Sequence, residues 1–189
     1  MKTRILILSM AASCVFAGNA LALTKADYKA HKDQISADYK VSREKCNVMK
    51  DNAKDICVSE AKGAEKIAMA ELEAQYKPSA KNTEKAAMAK ADAAYDTAKE
   101  KCNDLAGNTK DVCVQDAKAA HVKAKEAAKV VKASADTTKD KTEKMNEVKK
   151  DASTETREAD YKAANERCDS LAGAAKATCH NDAKAKYGM

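Results

Sequence analysis

The stretch Cys102-Asn103-Asp104-Leu105-Ala106-Gly107-Asn108-Thr109-Lys110-Asp111-Val112-Cys113 decides how this chain folds. Its cysteines stand 11 positions apart, and on one continuous helix that separation spans about 16 Å. A disulfide needs Cα atoms within roughly 7 Å. If the pair is bonded, the chain must reverse between its members. Leu105-Ala106-Gly107 sets a glycine where a helix C-terminus takes a left-handed residue. Asn108-x-x-Asp111 reads as an N-cap with an acid in the first turn of the next helix. The stretch is the expected tip of a helical hairpin.

The same unit occurs three times. Tyr39-x6-Cys46-x10-Cys57-x3-Ala61-Lys62 and Tyr161-x6-Cys168-x10-Cys179-x3-Ala183-Lys184 match Tyr95-x6-Cys102-x10-Cys113-x3-Ala117-Lys118, at offsets of 56 and 66 residues. Asp51 takes the glycine's place in the first copy, and Ala174 and Ala177 take the cap's place in the third. Those two turns are therefore expected to be less well formed.

The flanks carry coiled-coil spacing. Met88, Ala91, Tyr95, Ala98, Cys102 and Leu105 precede the turn, and Cys113, Ala117, Ala120, Ala124, Ala127 and Val131 follow it. Antiparallel folding sets Cys102 against Cys113, Ala98 against Ala117, Tyr95 against Ala120 and Met88 against Ala127. In the first copy Ile35 faces Ala68, Tyr39 faces Ala64 and Lys32 faces Glu71. Large residues meet small ones throughout, so the helices approach closely but bury little area. A bridge closing a loop this short contributes roughly 3 kcal/mol by the chain-entropy model, and the disulfides Cys46–Cys57, Cys102–Cys113 and Cys168–Cys179 read as staples for a core that alanine cannot hold alone.

Composition agrees. From residue 23 onward there are 36 Ala, only 16 Leu, Ile and Val together, and no Phe or Trp. Sheets need β-branched and aromatic residues, whereas Ala, Lys and Glu favour helix. The expected class is all-α: elongated antiparallel helical hairpins with Ala-rich, coiled-coil-like seams, in three copies each clamped by a disulfide. Helices are expected at about 24–50, 53–76, 80–106, 109–134, 139–172 and 175–187. Pro78 is the firm break, and 134–138 a weaker one. The expected division is a signal peptide at 1–22, hairpin 1 at 23–77, hairpin 2 at 78–135, and a linker helix with hairpin 3 at 136–189. A four-helix bundle and separate tethered hairpins are both open.

Lys2 and Arg4, the apolar or small run Ile5–Gly18, and Ala20-Leu21-Ala22 form the pattern of a cleavable secretory signal. Cleavage is expected between Ala22 and Leu23, leaving six cysteines, no transmembrane segment and a periplasmic protein. Acylation of Cys14 is the alternative; Ala11 stands where that signal prefers a large aliphatic residue.

Chemistry is sparse. His31, His121 and His180 have no recognisable catalytic spacing, the carboxylates are interleaved with Lys at helical spacings as solvated partners, and Gly63, Gly107, Gly173 and Gly188 are isolated, so no phosphate loop exists. No catalytic residue, metal ligand set or cofactor is assigned. Cys179-His180 is the nearest approach to a metal site, but zinc favours short Cys-x2–4-Cys spacings, and a redox Cys-x-x-Cys is absent. The six tyrosines sit on or near the seams, where core packing is preferred to ligand stacking. Segment 118–150 holds ten Lys and five acids. Lys118, Lys123, Lys125, Lys129 and Lys132 are candidate contacts for anionic headgroups or cell-wall polymers, set against a plain solvated face. Nucleic acid is not expected, because aromatic platforms are missing.

The leader Met1-Lys2-Thr3-Arg4-Ile5-Leu6-Ile7, the start Leu23-Thr24-Lys25 and the block at 102–113 resemble small exported Ala/Lys-rich Cys-repeat proteins of Gram-negative bacteria, often labelled TolA-like cell-envelope biogenesis proteins. The resemblance covers nearly the whole chain and implies an envelope setting without an established activity. The likeness to TolA itself rests on helical Ala/Lys/Glu/Asp composition, as in TolA's periplasmic stalk. The expected function is a non-enzymatic periplasmic structural or interaction module, its partner an unidentified envelope protein or cell-wall component, with self-association open. The alternatives are a stress-linked periplasmic chaperone or ligand-binding protein and, third, a metal- or redox-responsive protein. Against the chaperone, Leu23-Thr24-Lys25-Ala26-Asp27 lacks the glutamine of Spy's Leu-Thr-x-x-Gln motif.

Overall fold

A computed structural model describes residues 23–135 and 140–189; the signal-peptide and Cys14 expectations lie outside the described residues. The described residues form six α-helices: α1 (Lys25–Lys45), α2 (Asp51–Tyr76), α3 (Ala80–Cys102), α4 (Gly107–Ser134), α5 (Lys141–Cys168) and α6 (Gly173–Tyr187). Local signals set several ends. Thr24 caps α1 in a reciprocal box with Asp27. After Pro78, the Ser79 hydroxyl accepts from the Asn82 backbone N–H at 3.1 Å and starts α3. Gly188, left-handed at φ 64°, closes α6.

The fold is all-α, three antiparallel hairpins each clamped by a disulfide. Cys46–Cys57, Cys102–Cys113 and Cys168–Cys179 are bonded, with Cα atoms 5.6, 5.7 and 5.6 Å apart. The expected seam holds near the disulfides of hairpins 1 and 2, where Ala61 and Ala117 are buried, and Ile35 and Ala68 line one groove. Away from them it does not, since Ala64, Ala120, Ala124 and Ala127 are exposed and Tyr95 stacks on His121 instead of facing Ala120. The largest fully buried side chains are Cys46, Cys102 and Cys168, and nearly all the rest of the buried set is alanine, with Leu72 the exception among aliphatics. Sulfur occupies the place that leucine fills in an ordinary bundle.

Among the described residues each helix packs only on its neighbours in sequence, α1 on α2, α2 on α3, through to α5 on α6. The result is neither a four-helix bundle nor separate hairpins but a single layer of antiparallel helices. The cause is visible on α3. Tyr95 and Cys102 face α4, while Ala93 and Thr97 face α2, and residues two apart on a helix point about 160° apart. Two apolar stripes on opposite sides make a middle plank, not a bundle corner.

The turns correct two expectations. All three are alike: Lys50, Ala106 and Ala172 are extended (φ −127°, −134°, −129°), and Asp51, Gly107 and Gly173 follow at φ 51°, 54° and 56°. The first and third are as well formed as the second, because Asp is one of the few side chains that enter the left-handed region. The left-handed residue opens the second helix instead of closing the first, so α1, α3 and α5 stop about four residues earlier than the sequence suggests. The asparagines also do not cap their own helices. Asn52 donates to the Glu100 carbonyl at 2.8 Å and Asn108 to the Glu166 carbonyl at 3.2 Å, each reaching the next hairpin.

Candidate functional site

Those two asparagine bonds place the hairpin tips side by side. Since α1, α3 and α5 run one way and α2, α4 and α6 the other, the three tips lie along one edge of the layer. Adjacent helices pack 8–10 Å apart, so successive tips are spaced by roughly 16–20 Å. The third residue after the first cysteine is large and apolar in every copy: Met49, Leu105 and Leu171, exposed to 42%, 39% and 43%. Val48 beside Met49 is 86% exposed. An isolated exposed apolar residue needs no explanation, but the same exposed position in three copies, aligned on one edge, is a surface written by the repeat. Lys54, Lys110 and Lys176 recur five residues further on, the last bonded to Asp169 at 2.9 Å. That lysine, joined by His180, holds the Asp169 carboxyl below the usual carboxylate range.

Three of the five candidate polyanion lysines are held by carboxylates: Lys123 by Asp160 at 2.7 Å, Lys129 by buried Glu126 at 2.6 Å and Lys132 by Glu84 at 2.8 Å. Lys118 lines a groove of about 280 Å³ with Tyr95, His121, Glu155, Glu158 and Lys162, and Lys125 is half-buried. Three of the five are thus ion-paired, and Lys118 shares its groove with two glutamates and a second lysine.

Histidine chemistry was not legible from spacing along the chain. His121 Nε2 lies 2.6 Å from Asp92 Oδ1 while its ring stacks on Tyr95, centroids 4.6 Å apart. His180 Nδ1 lies 2.8 Å from Asn165 Oδ1. The hairpin register puts Asp92 nearly opposite His121, so scoring polar as well as apolar pairs across the seam would have found the contact. A His–Asp pair can orient a base, but the groove beside it contains no serine, threonine or cysteine to be activated. Tyr28 and Tyr76 stack at 4.4 Å, and Tyr161 meets Tyr187 edge-on at 6.5 Å. Each hairpin thus carries one aromatic contact remote from its disulfide.

Cys179, half of the sequence's nearest metal candidate, is bonded to Cys168. Among the described residues no group of three or more His, Cys, Asp or Glu side chains has the arrangement to hold a metal ion, and no helix is long and apolar enough to cross a membrane. No protein-family model, curated protein or solved structure matches the chain.

Proposed function

We propose that this protein is a non-enzymatic interaction module of the bacterial cell envelope, working outside the cytoplasm and using its row of hairpin tips as the contact surface. The observation that carries the reading is the threefold exposed apolar position Met49, Leu105 and Leu171. Three bridges fit an oxidising compartment, and the signal-like leader and the resemblance to exported TolA-like proteins point the same way. A flat layer with a comb of apolar contacts suits a long, repetitive or extended partner better than a small molecule, which wants a deep concave pocket.

The test is photo-crosslinking from position 109, beside the second tip, in oxidised protein mixed with envelope extract. The expected result is a discrete crosslinked species that disappears in the triple variant Met49→Ser, Leu105→Ser, Leu171→Ser while helicity and all three bridges persist. Crosslinking unchanged by the triple variant would count against the tips.

The same tips favour a second reading, a chaperone that captures exposed apolar segments. Suppression of client aggregation at near-stoichiometric ratio, lost in the same variant, would select it.

A further inference from the structure

The two joints between hairpins obey one rule, and the rule continues past both ends of the layer. At each interior joint the acid fourteen residues after a hairpin's first cysteine pairs with the base just before the next hairpin's first cysteine. Glu60 meets Lys101 at 3.2 Å, and Asp116 meets Arg167. The third acid in this series is Asp182 on α6, and the first base is Lys45 on α1. Both are exposed, and neither makes an ion pair among the described residues.

The apolar part of the joint repeats as well. Gly63 on α2 lies against Ala93 on α3, so close that a Cβ added to the glycine would come within 2.8 Å of the Ala93 Cβ. The positions equivalent to Gly63 are Ala119 and Ala185, and those equivalent to Ala93 are Ala37 and Ala159. Ala93 and Ala119 are each 6% exposed inside the layer, whereas Ala37 on α1 and Ala185 on α6 stand open. Val41 on α1 occupies the position of Ala163: it is 52% exposed, and Ala163, covered by a neighbouring hairpin, is 3% exposed.

We propose that α6 of one molecule packs on α1 of a second copy of this chain, as α2 packs on α3 and α4 on α5, with Asp182 of one copy paired to Lys45 of the next. The occupant is another copy because each outer face carries one half of a contact that this chain already makes twice with itself. Two elements are missing: Ala174 stands where Asn52 and Asn108 bridge the interior joints, and α6 has 15 residues where α2 and α4 have 26 and 28. The joint between molecules therefore lacks that hydrogen bond and part of the packed length, and is weaker and reversible. Such a head-to-tail contact is heterologous and need not close; it lengthens the layer and the row of tips.

Sedimentation of the oxidised full chain across a concentration series, at low and at high salt, tests this. The expected weight-average mass rises with concentration and falls with salt. Asp182→Lys and Lys45→Glu, each checked for unchanged helicity, are each expected to sediment as one chain, because each sets like charges against each other. Mixing the two variants makes both unlike joints complementary, since the reversed α6 of the first meets the reversed α1 of the second and the unchanged α6 of the second meets the unchanged α1 of the first. The mixture therefore regains an alternating series, and the double variant, with polarity reversed, regains the wild-type series. A wild-type mass of one chain at every concentration overturns the proposal. So does association that neither single reversal weakens, since another surface would then carry it.

Discussion

Asp51 is held at φ 51° in the turn where the other two copies use glycine. A non-glycine residue pays about 1–2 kcal/mol for the left-handed conformation, less for Asp than for most. Asp51→Gly is therefore expected to stabilise hairpin 1 by about 1 kcal/mol in urea unfolding. Gly107→Ala should cost a similar amount, from backbone strain alone, because a Cβ there would meet nothing within 4 Å. Equal midpoints for Asp51→Gly and wild type would contradict the turn geometry. The acid limb is a residue-scale matter too. Tyr28 donates to Glu73 at 2.8 Å, and that bond, with Lys77 nearby, holds the Glu73 carboxyl below the usual carboxylate range. A depressed folded pKa gives stability that is present above the ordinary carboxylate range and lost as pH falls through the folded value. Tyr28→Phe should flatten the loss of stability between pH 7 and pH 3; an acid limb as steep as wild type would show that the bond does not form. The repeat itself made the turn's position readable. Its internal geometry was not, because a glycine after a helical stretch signals a left-handed residue without saying whether it ends one helix or opens the next.

The six helices were legible as elements because the Ala/Lys/Glu bias and the seam spacing agree with each other. Their sideways packing was not, because the seam was read only between the two arms of one hairpin. A second stripe of small residues, Ala86, Ala93 and Thr97, lies on the opposite side of α3 and had no partner at the scale of a single hairpin. Gly63 is the tightest point of that second seam. Gly63→Ala gains about 1 kcal/mol of helix propensity but forces α2 and α3 apart, an overpacking cost of typically 1–3 kcal/mol. Net destabilisation is expected. Adding Ala93→Gly should return the midpoint close to wild type, since it frees the space the new methyl needs. Strictly additive losses in the double variant would show that the two residues do not touch.

At the scale of the molecule, a single layer gives every interior helix two neighbours and leaves both faces to solvent. Apolar burial is correspondingly thin: the buried set is mostly alanine, and disulfide sulfur fills the centre of each hairpin. Of the proposed contact surface, the cysteines and the repeat were visible in the sequence. The alignment of Met49, Leu105 and Leu171 on one edge was not, since it follows from Asn52 and Asn108 reaching the next hairpin. Each bridge closes a short loop worth roughly 3 kcal/mol. Three together approach the whole net stability of an ordinary domain, about 5–15 kcal/mol. The central claim is that these bridges, more than the apolar core, hold the layer.

Urea unfolding followed by far-UV circular dichroism, with and without reductant and with thiol alkylation read by intact mass, tests that claim most directly. The account predicts no alkylation of these six cysteines before reduction, and after it a helical signal that collapses at far lower urea or is already lost in buffer. Thiols that react in the native protein, or a reduced chain that unfolds at the oxidised midpoint, would contradict it.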